Sequence, residues 1–110
     1  MLRRGHAGRV DVNQPDIVAE LRRHGFSVHS IATVGSGCPD LLVGIGGVTY
    51  LIEVKDGSKP PSARALTPDE DEWHDTWHGR PVEVLESVDQ ARMWAMLITV
   101  MGDRLRRHND

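Results

Sequence analysis

Residues 40–55 constrain this chain more than any other stretch. Leu41-Leu42-Val43-Gly44-Ile45 and Val48-Thr49-Tyr50-Leu51-Ile52-Glu53-Val54 are dominated by aliphatic, β-branched and aromatic residues, with Gly46-Gly47 between them. Such residues favour a pleated, half-buried strand, and two glycines suit the left-handed backbone of a tight hairpin turn. Pairing about that turn sets Ile45 opposite Val48 and Asp40 opposite Glu53. Cross-strand neighbours have Cβ atoms ~5 Å apart, so the hairpin should bring two carboxylates together. Like charges at that spacing repel unless a cation or a proton lies between them. Lys55, two residues beyond Glu53, shares its face. Charges on an apolar hairpin are costly unless they bind something. This set points to a divalent cation and to phosphate.

The rest of the chain supplies elements to flank that hairpin. Asn13 can cap a helix with Pro15 in its first turn, an apolar stripe of Ile17, Val18 and Leu21, and a stop at Gly25. Residues 26–31 alternate as a half-buried strand. Thr67, Pro68 and Glu70 carry the signature of a capping box, opening a helix through Trp73 and Trp77 that stops at Gly79. Residues 81–85 read as a short strand. Ser87 caps a last helix with Ala91, Trp94, Ala95, Leu97, Ile98 and Met101 as its apolar face, ending among Arg104, Arg106 and Arg107. The expected order is α-β-β-β-α-β-α, one α/β domain over 13–110 behind a flexible arm at 1–12.

At 110 residues the chain has room for one modest core. No apolar run approaches the ~20 residues that cross a bilayer, and no signal peptide is evident. One cysteine, Cys38, permits neither an internal disulfide nor a multi-cysteine zinc site. A cytoplasmic location is the expectation. Residues 1–64 balance eight Lys/Arg against six Asp/Glu, a charge of +2, and residues 65–110 balance five against ten, a charge of −5. The basic half holds Arg9, Lys59 and Arg64, which could meet a phosphate backbone or simply keep their loops soluble.

Pro39-Asp40 and Glu53-Val54-Lys55, in this element order, resemble the signature of the PD-(D/E)xK phosphodiesterase superfamily, with its restriction-endonuclease-like fold. The stretch from Asp16 to Trp77, with Leu66-Thr67 before the second helix, is similar to the small stand-alone VRR-NUC nucleases. These include phage members and are related to archaeal Holliday-junction resolvases. The resemblance spans roughly residues 13–90. It implies a mixed central sheet flanked by helices and a metal-dependent nuclease in a prokaryotic or phage-infected cell. Asp40, Glu53 and the Val54 carbonyl would hold Mg²⁺, or Mn²⁺ in its place, and Lys55 would act on the attacking water. It also implies an acidic residue from the first helix. Asp16 is chosen, with Glu20 and Gln14 as rivals. Glu70 stands near the place of a glutamine that the family has after its Leu-Thr pair.

The substrate expected of so small a domain is branched or double-stranded DNA recognised by its structure, such as a junction, flap or end. A homodimer would place two sites on two strands. The last helix is a candidate dimer surface through Met93, Trp94, Met96, Leu97 and Met101, or else a cover for the sheet. The competing class is a non-catalytic nucleic-acid-binding or accessory module on the same fold. His74 and His78 have a zinc-compatible spacing but no third ligand, and read as a solvated helical face. At least two of Trp73, Trp77 and Trp94 read as core rather than as stacking platforms for bases. Gly35-Ser36-Gly37 could let a DNA backbone approach or could be a flexible turn.

Overall fold

A computed structural model describes residues 10–109, with side chains of the last helix placed through Gly102. Residues 1–9, with Arg9 and most of the expected arm at 1–12, and the side chains of Arg104, Arg106 and Arg107 lie outside what is described. Helix α1 spans Gln14–Arg23, followed by strands β1 (Ser27–Ser30), β2 (Leu41–Ile45) and β3 (Val48–Val54). Helix α2 (Pro68–Thr76), strand β4 (Glu83–Leu85) and helix α3 (Val88–Asn109) complete the expected α-β-β-β-α-β-α order.

The four strands form one mixed sheet in the order β1-β2-β3-β4, with β1–β2 and β2–β3 antiparallel and β3–β4 parallel. The Gly46-Gly47 turn uses positive φ at both residues, 57° and 82°, which only glycine adopts without strain. It sets Ile45 opposite Val48 and Leu41 opposite Ile52, the register the residue pattern predicts.

One face of the sheet carries Val28, Leu41, Val43, Tyr50, Ile52, Val54 and Leu85, and packs against Ile17 and Leu21 of α1 and Ala91 and Ala95 of α3. The two alanines let α3 sit close, and Trp94 fills the space beside them, edge-on to Tyr50 at 5.2 Å and tilted against Phe26 at 5.5 Å. Leu97 and Met101, expected on this face, are exposed, and Ile98 takes the packed position.

Helix α2 lies over the other face and contributes no buried residue. Trp73 and Trp77, expected as core with Trp94, instead stack on each other at 4.8 Å outside it, and Trp77 is 44% exposed. The helix also ends at Thr76, short of Gly79, because Trp77 turns to extended backbone. Local acids and the cap favour α2, but its sparse apolar content leaves it little to bury.

Asn13 differs from its expected role too. Its side chain makes no cap bond and donates from Nδ2 to the carbonyls of Lys55 and Glu86, both at 3.1 Å. In the preceding turn the Gln14 N–H donates to the Asp11 carbonyl at 3.0 Å.

Candidate active site

Asp40 stands immediately before β2, and Glu53 is the penultimate residue of β3. The Asp40 N–H donates to the Ile52 carbonyl at 3.0 Å, which continues the hairpin register and sets Asp40 across from Glu53. Asp40 Oδ2 accepts the Val54 N–H at 2.7 Å. In an antiparallel pair a residue's N–H and C=O point to the same side, so the Val54 carbonyl is aimed at this edge as well. Both acids are buried, Asp40 at 8% exposure and Glu53 at 2%.

The two carboxyls lie within hydrogen-bonding reach of each other, an arrangement that favours a shared proton. Burial, then the bond to Asp40 and its charge, push Glu53 up to about 10. Burial raises Asp40 as well, against the lowering effect of its bonds to Glu53 and to the Val54 N–H. The pair as a whole therefore holds a proton above the usual carboxylate range. A site that binds a proton this firmly between two hard oxygens is one a small dication can occupy.

Lys55 lies on the same face, and its Nζ donates to Glu70 Oε1 at 2.7 Å. Burial opposes the ammonium charge, but the bond and charge of Glu70, with Glu53 and Asp11 behind it, hold Lys55 above its ordinary range. Glu70 in turn resists its own burial through Lys55 and the Thr67 N–H, and stays below the usual glutamate range. It forms both halves of the capping box with Thr67, at 2.9 and 3.2 Å. One turn further along α2, His74 Nε2 faces Glu53 Oε1 at 3.3 Å. His74 is thus turned inward rather than solvated. His78 lies beyond the end of α2, so the two imidazoles do not share a helical face.

The structure separates the three first-helix candidates by burial and partners. Asp16 is exposed and lines a cleft with Asp56, Ser58, Glu86 and Gln90, away from the Asp40–Glu53 pair. Glu20 is buried but held by Arg23, His24 and Arg92, the last two at 2.9 and 3.2 Å. Gln14 is the rival that turns inward at this end of the sheet. It is buried, its Nε2 donates to Ser30 Oγ at 3.4 Å, and its Oε1 has no partner. Ser30 pairs with Leu41, the residue after Asp40. Asp11, which the sequence pattern gave no reason to single out, is half-buried and adds its charge to the field at Asp40 and Lys55.

Lys59 is exposed. Arg64 is half-buried and committed to its own loop, donating from Nε to the Lys59 carbonyl at 2.7 Å and pairing with Glu86 at 3.4 Å. Gly37 resolves the Gly35-Ser36-Gly37 question in favour of the protein. It has φ of 85°, and a Cβ there would lie 2.3 Å from the Asp69 carbonyl oxygen. What approaches this loop is the first turn of α2.

Among the described residues no group of three or more His, Cys, Asp or Glu side chains is arranged to hold a metal ion. Mg²⁺ does not need such a cage. It takes one or two carboxylates and fills its octahedron with water and phosphate oxygens. Asp40, Glu53, the Val54 carbonyl and the orphaned Gln14 Oε1 are oxygen donors of that kind.

A solved structure described as a VRR_NUC domain superposes on this fold with a TM-score of 0.53 and 25% identity, covering 74% of this chain and 91% of that one. No family profile and no curated protein matches the sequence. The chain has the VRR-NUC-like form of the PD-(D/E)xK nuclease fold, and the likeness points to a nuclease-type function. Among the described residues no helix is long and apolar enough to cross a membrane.

Proposed function

We propose that this protein is a Mg²⁺-dependent DNA endonuclease that selects branched or double-stranded DNA by structure, at junctions, flaps or ends. The observation that carries the reading is the buried Asp40–Glu53 pair across one hairpin, with Lys55 on the same face. Asp40 and Glu53 would hold the cation with the Val54 carbonyl, and Gln14 Oε1, buried without a partner, would accept from a bound water. When bound, the cation supplies charge to the pentavalent phosphate and acidifies the attacking water. Lys55, once drawn from Glu70, orients that water or offsets phosphate charge. Exposed Lys59 is free to meet a neighbouring phosphate, whereas Arg64 holds the loop that presents it. Such a reaction belongs in the cytoplasm of a prokaryotic or phage-infected cell. We also propose a homodimer, joined through α3, that sets two sites on two strands.

Nicking of plasmid or branched DNA with Mg²⁺ or Mn²⁺ tests the assignment. Asp40→Ala and Lys55→Ala should each lower the rate by about 100-fold or more, a loss on the scale of a removed catalytic contact. Cleavage by both variants at the parent rate would place the chemistry elsewhere. The Lys55–Glu70 pair favours one second reading, an accessory module whose lysine is permanently engaged. A parent that binds DNA and cuts none with either metal would support it.

A further inference from the structure

Helix α2 meets the site at two points. Glu70 takes Lys55 Nζ at 2.7 Å, and His74 takes Glu53 Oε1 at 3.3 Å. These residues are four apart and share one face of the helix. Their partners, Glu53 and Lys55, are two apart and share one face of the sheet edge. The match is of spacing: one helical turn spans ~5.4 Å, and two strand residues span ~6.6 Å. Helix α2 sends no residue into the hydrophobic core, so apolar packing there does not dictate its seat. The seat comes from these polar contacts and from Gly37, whose missing Cβ lets the Asp69–Glu70 backbone close on the loop before Asp40.

We propose that α2 is a two-point clamp for the reactive side chains, with His74 and Glu70 as positioning residues for Glu53 and Lys55. His74 meets Oε1 of Glu53 at 3.3 Å and so fixes the rotation of the carboxylate that would share a cation with Asp40. Glu70 fixes the Lys55 ammonium at 2.7 Å, and the capping box with Thr67 fixes Glu70. Partners of metal-ligating carboxylates set both orientation and affinity, and losing one costs ~10–100-fold. The clamp rests on the nuclease reading for its purpose, but not for its first measurement.

That measurement is Mn²⁺ binding by calorimetry on the full chain at one pH, with folding checked by circular dichroism. His74→Phe keeps a ring and removes the nitrogen, and should weaken Mn²⁺ binding by about 10-fold or more. His74→Gln restores an N–H donor and should recover most of that loss. If His74→Phe does not fold, His74→Asn, polar but too short to reach Glu53, takes its place. Unchanged Mn²⁺ binding in the donor-less variant, or failure of Gln to rescue, overturns the proposal.

Glu70→Gln keeps the capping box and removes the charge that holds Lys55. It should leave Mn²⁺ affinity and KM for DNA near parental and lower kcat by about 10-fold or more, and an unchanged kcat overturns the Glu70 arm. A parent that binds Mn²⁺ with the expected His74 sensitivity but cuts no DNA defeats the nuclease reading and leaves the His74 arm standing. A parent that cuts DNA while His74→Phe binds metal normally defeats the clamp alone. A parent that binds no Mn²⁺ defeats both.

Discussion

At the scale of single residues, Glu53 sets the physical character of the site. Its folded-state value near 10 lies far above the 4.5 of a free glutamate. The folded chain therefore binds a proton that the unfolded chain releases. The stabilisation from that proton is complete below about 4.5 and is lost as pH rises through the folded value. A cation competes with the proton for the same oxygens, so its hold should strengthen over the same interval. Saturating Mg²⁺ should therefore raise the melting temperature more at about pH 8.5 than at about pH 6. Asp40→Asn, which removes the like charge that helps lift Glu53, should shrink the difference. Equal Mg²⁺ shifts at the two pH values in the parent would show that proton and metal do not compete there. The pairing itself was readable from sequence, because the Gly46-Gly47 turn fixes register and register fixes neighbours. The first-helix partner was not. Asp16 has the right charge, yet the helical phase turns it outward and Gln14 inward, and a helix's phase against a sheet is a tertiary fact. Asp11 escaped notice for a related reason: it precedes any periodic segment, and only its turn onto α1 brings it into the field of Lys55.

At the scale of elements, the loop before Asp40 and the start of α2 depend on each other. Alanine at Gly37 meets two obstacles, a left-handed backbone at φ 85° and the Asp69 carbonyl oxygen 2.3 Å from the new Cβ. Alanine at Gly47 meets only the first, since φ there is 82° and nothing lies within 4 Å. Backbone strain of this kind costs ~1–2 kcal/mol. Gly47→Ala should show a loss of about that size in denaturant unfolding, and Gly37→Ala about 1–3 kcal/mol more as α2 is forced off its seat. If the two variants unfold alike, Gly37 has no role in seating the helix. Gly37→Ala should also cut more slowly than Gly47→Ala, because Glu70 and His74 ride on the displaced turn. The cap of α2 was legible in Thr67, Pro68 and Glu70, a strictly local pattern. Its packing was not: four-residue spacing puts Trp73 and Trp77 on one stripe, but nothing local says whether that stripe meets a core. The same blindness hid the partners of Glu70 and His74, which lie 15 and 21 residues away along the chain.

At the scale of the molecule, α3 carries apolar residues on two faces. Ala91, Trp94, Ala95 and Ile98 face the sheet, while Met93, Met96, Leu97, Val100 and Met101 are all exposed, Met93 at 71%. The exposed set recurs at i, i+3, i+4, i+7 and i+8, a continuous stripe on the opposite side of the helix. Sequence periodicity left a choice between a dimer surface and a cover for the sheet because apolar residues occur around most of this helix, and the structure divides them by face. Five large apolar side chains in one stripe exceed the scattered singles of an ordinary surface. A self-complementary pairing of two such helices about a two-fold axis would cover both stripes at once. Charge does not oppose the contact, since the stripe itself carries none from Met93 to Met101. The parent should therefore have twice the chain mass by light scattering at micromolar concentration. The double variant Met96→Glu, Leu97→Glu should have the single-chain mass, because it sets carboxylates in the middle of the stripe without touching the face that packs on the sheet. Its melting temperature should then cease to depend on protein concentration, as it must for a monomer. The proposed site is built from residues of one chain, so the separated variant should still nick one strand while losing coordinated cleavage of two. A parent of single-chain mass would remove the dimer, and a variant that stays double would move its interface to another face.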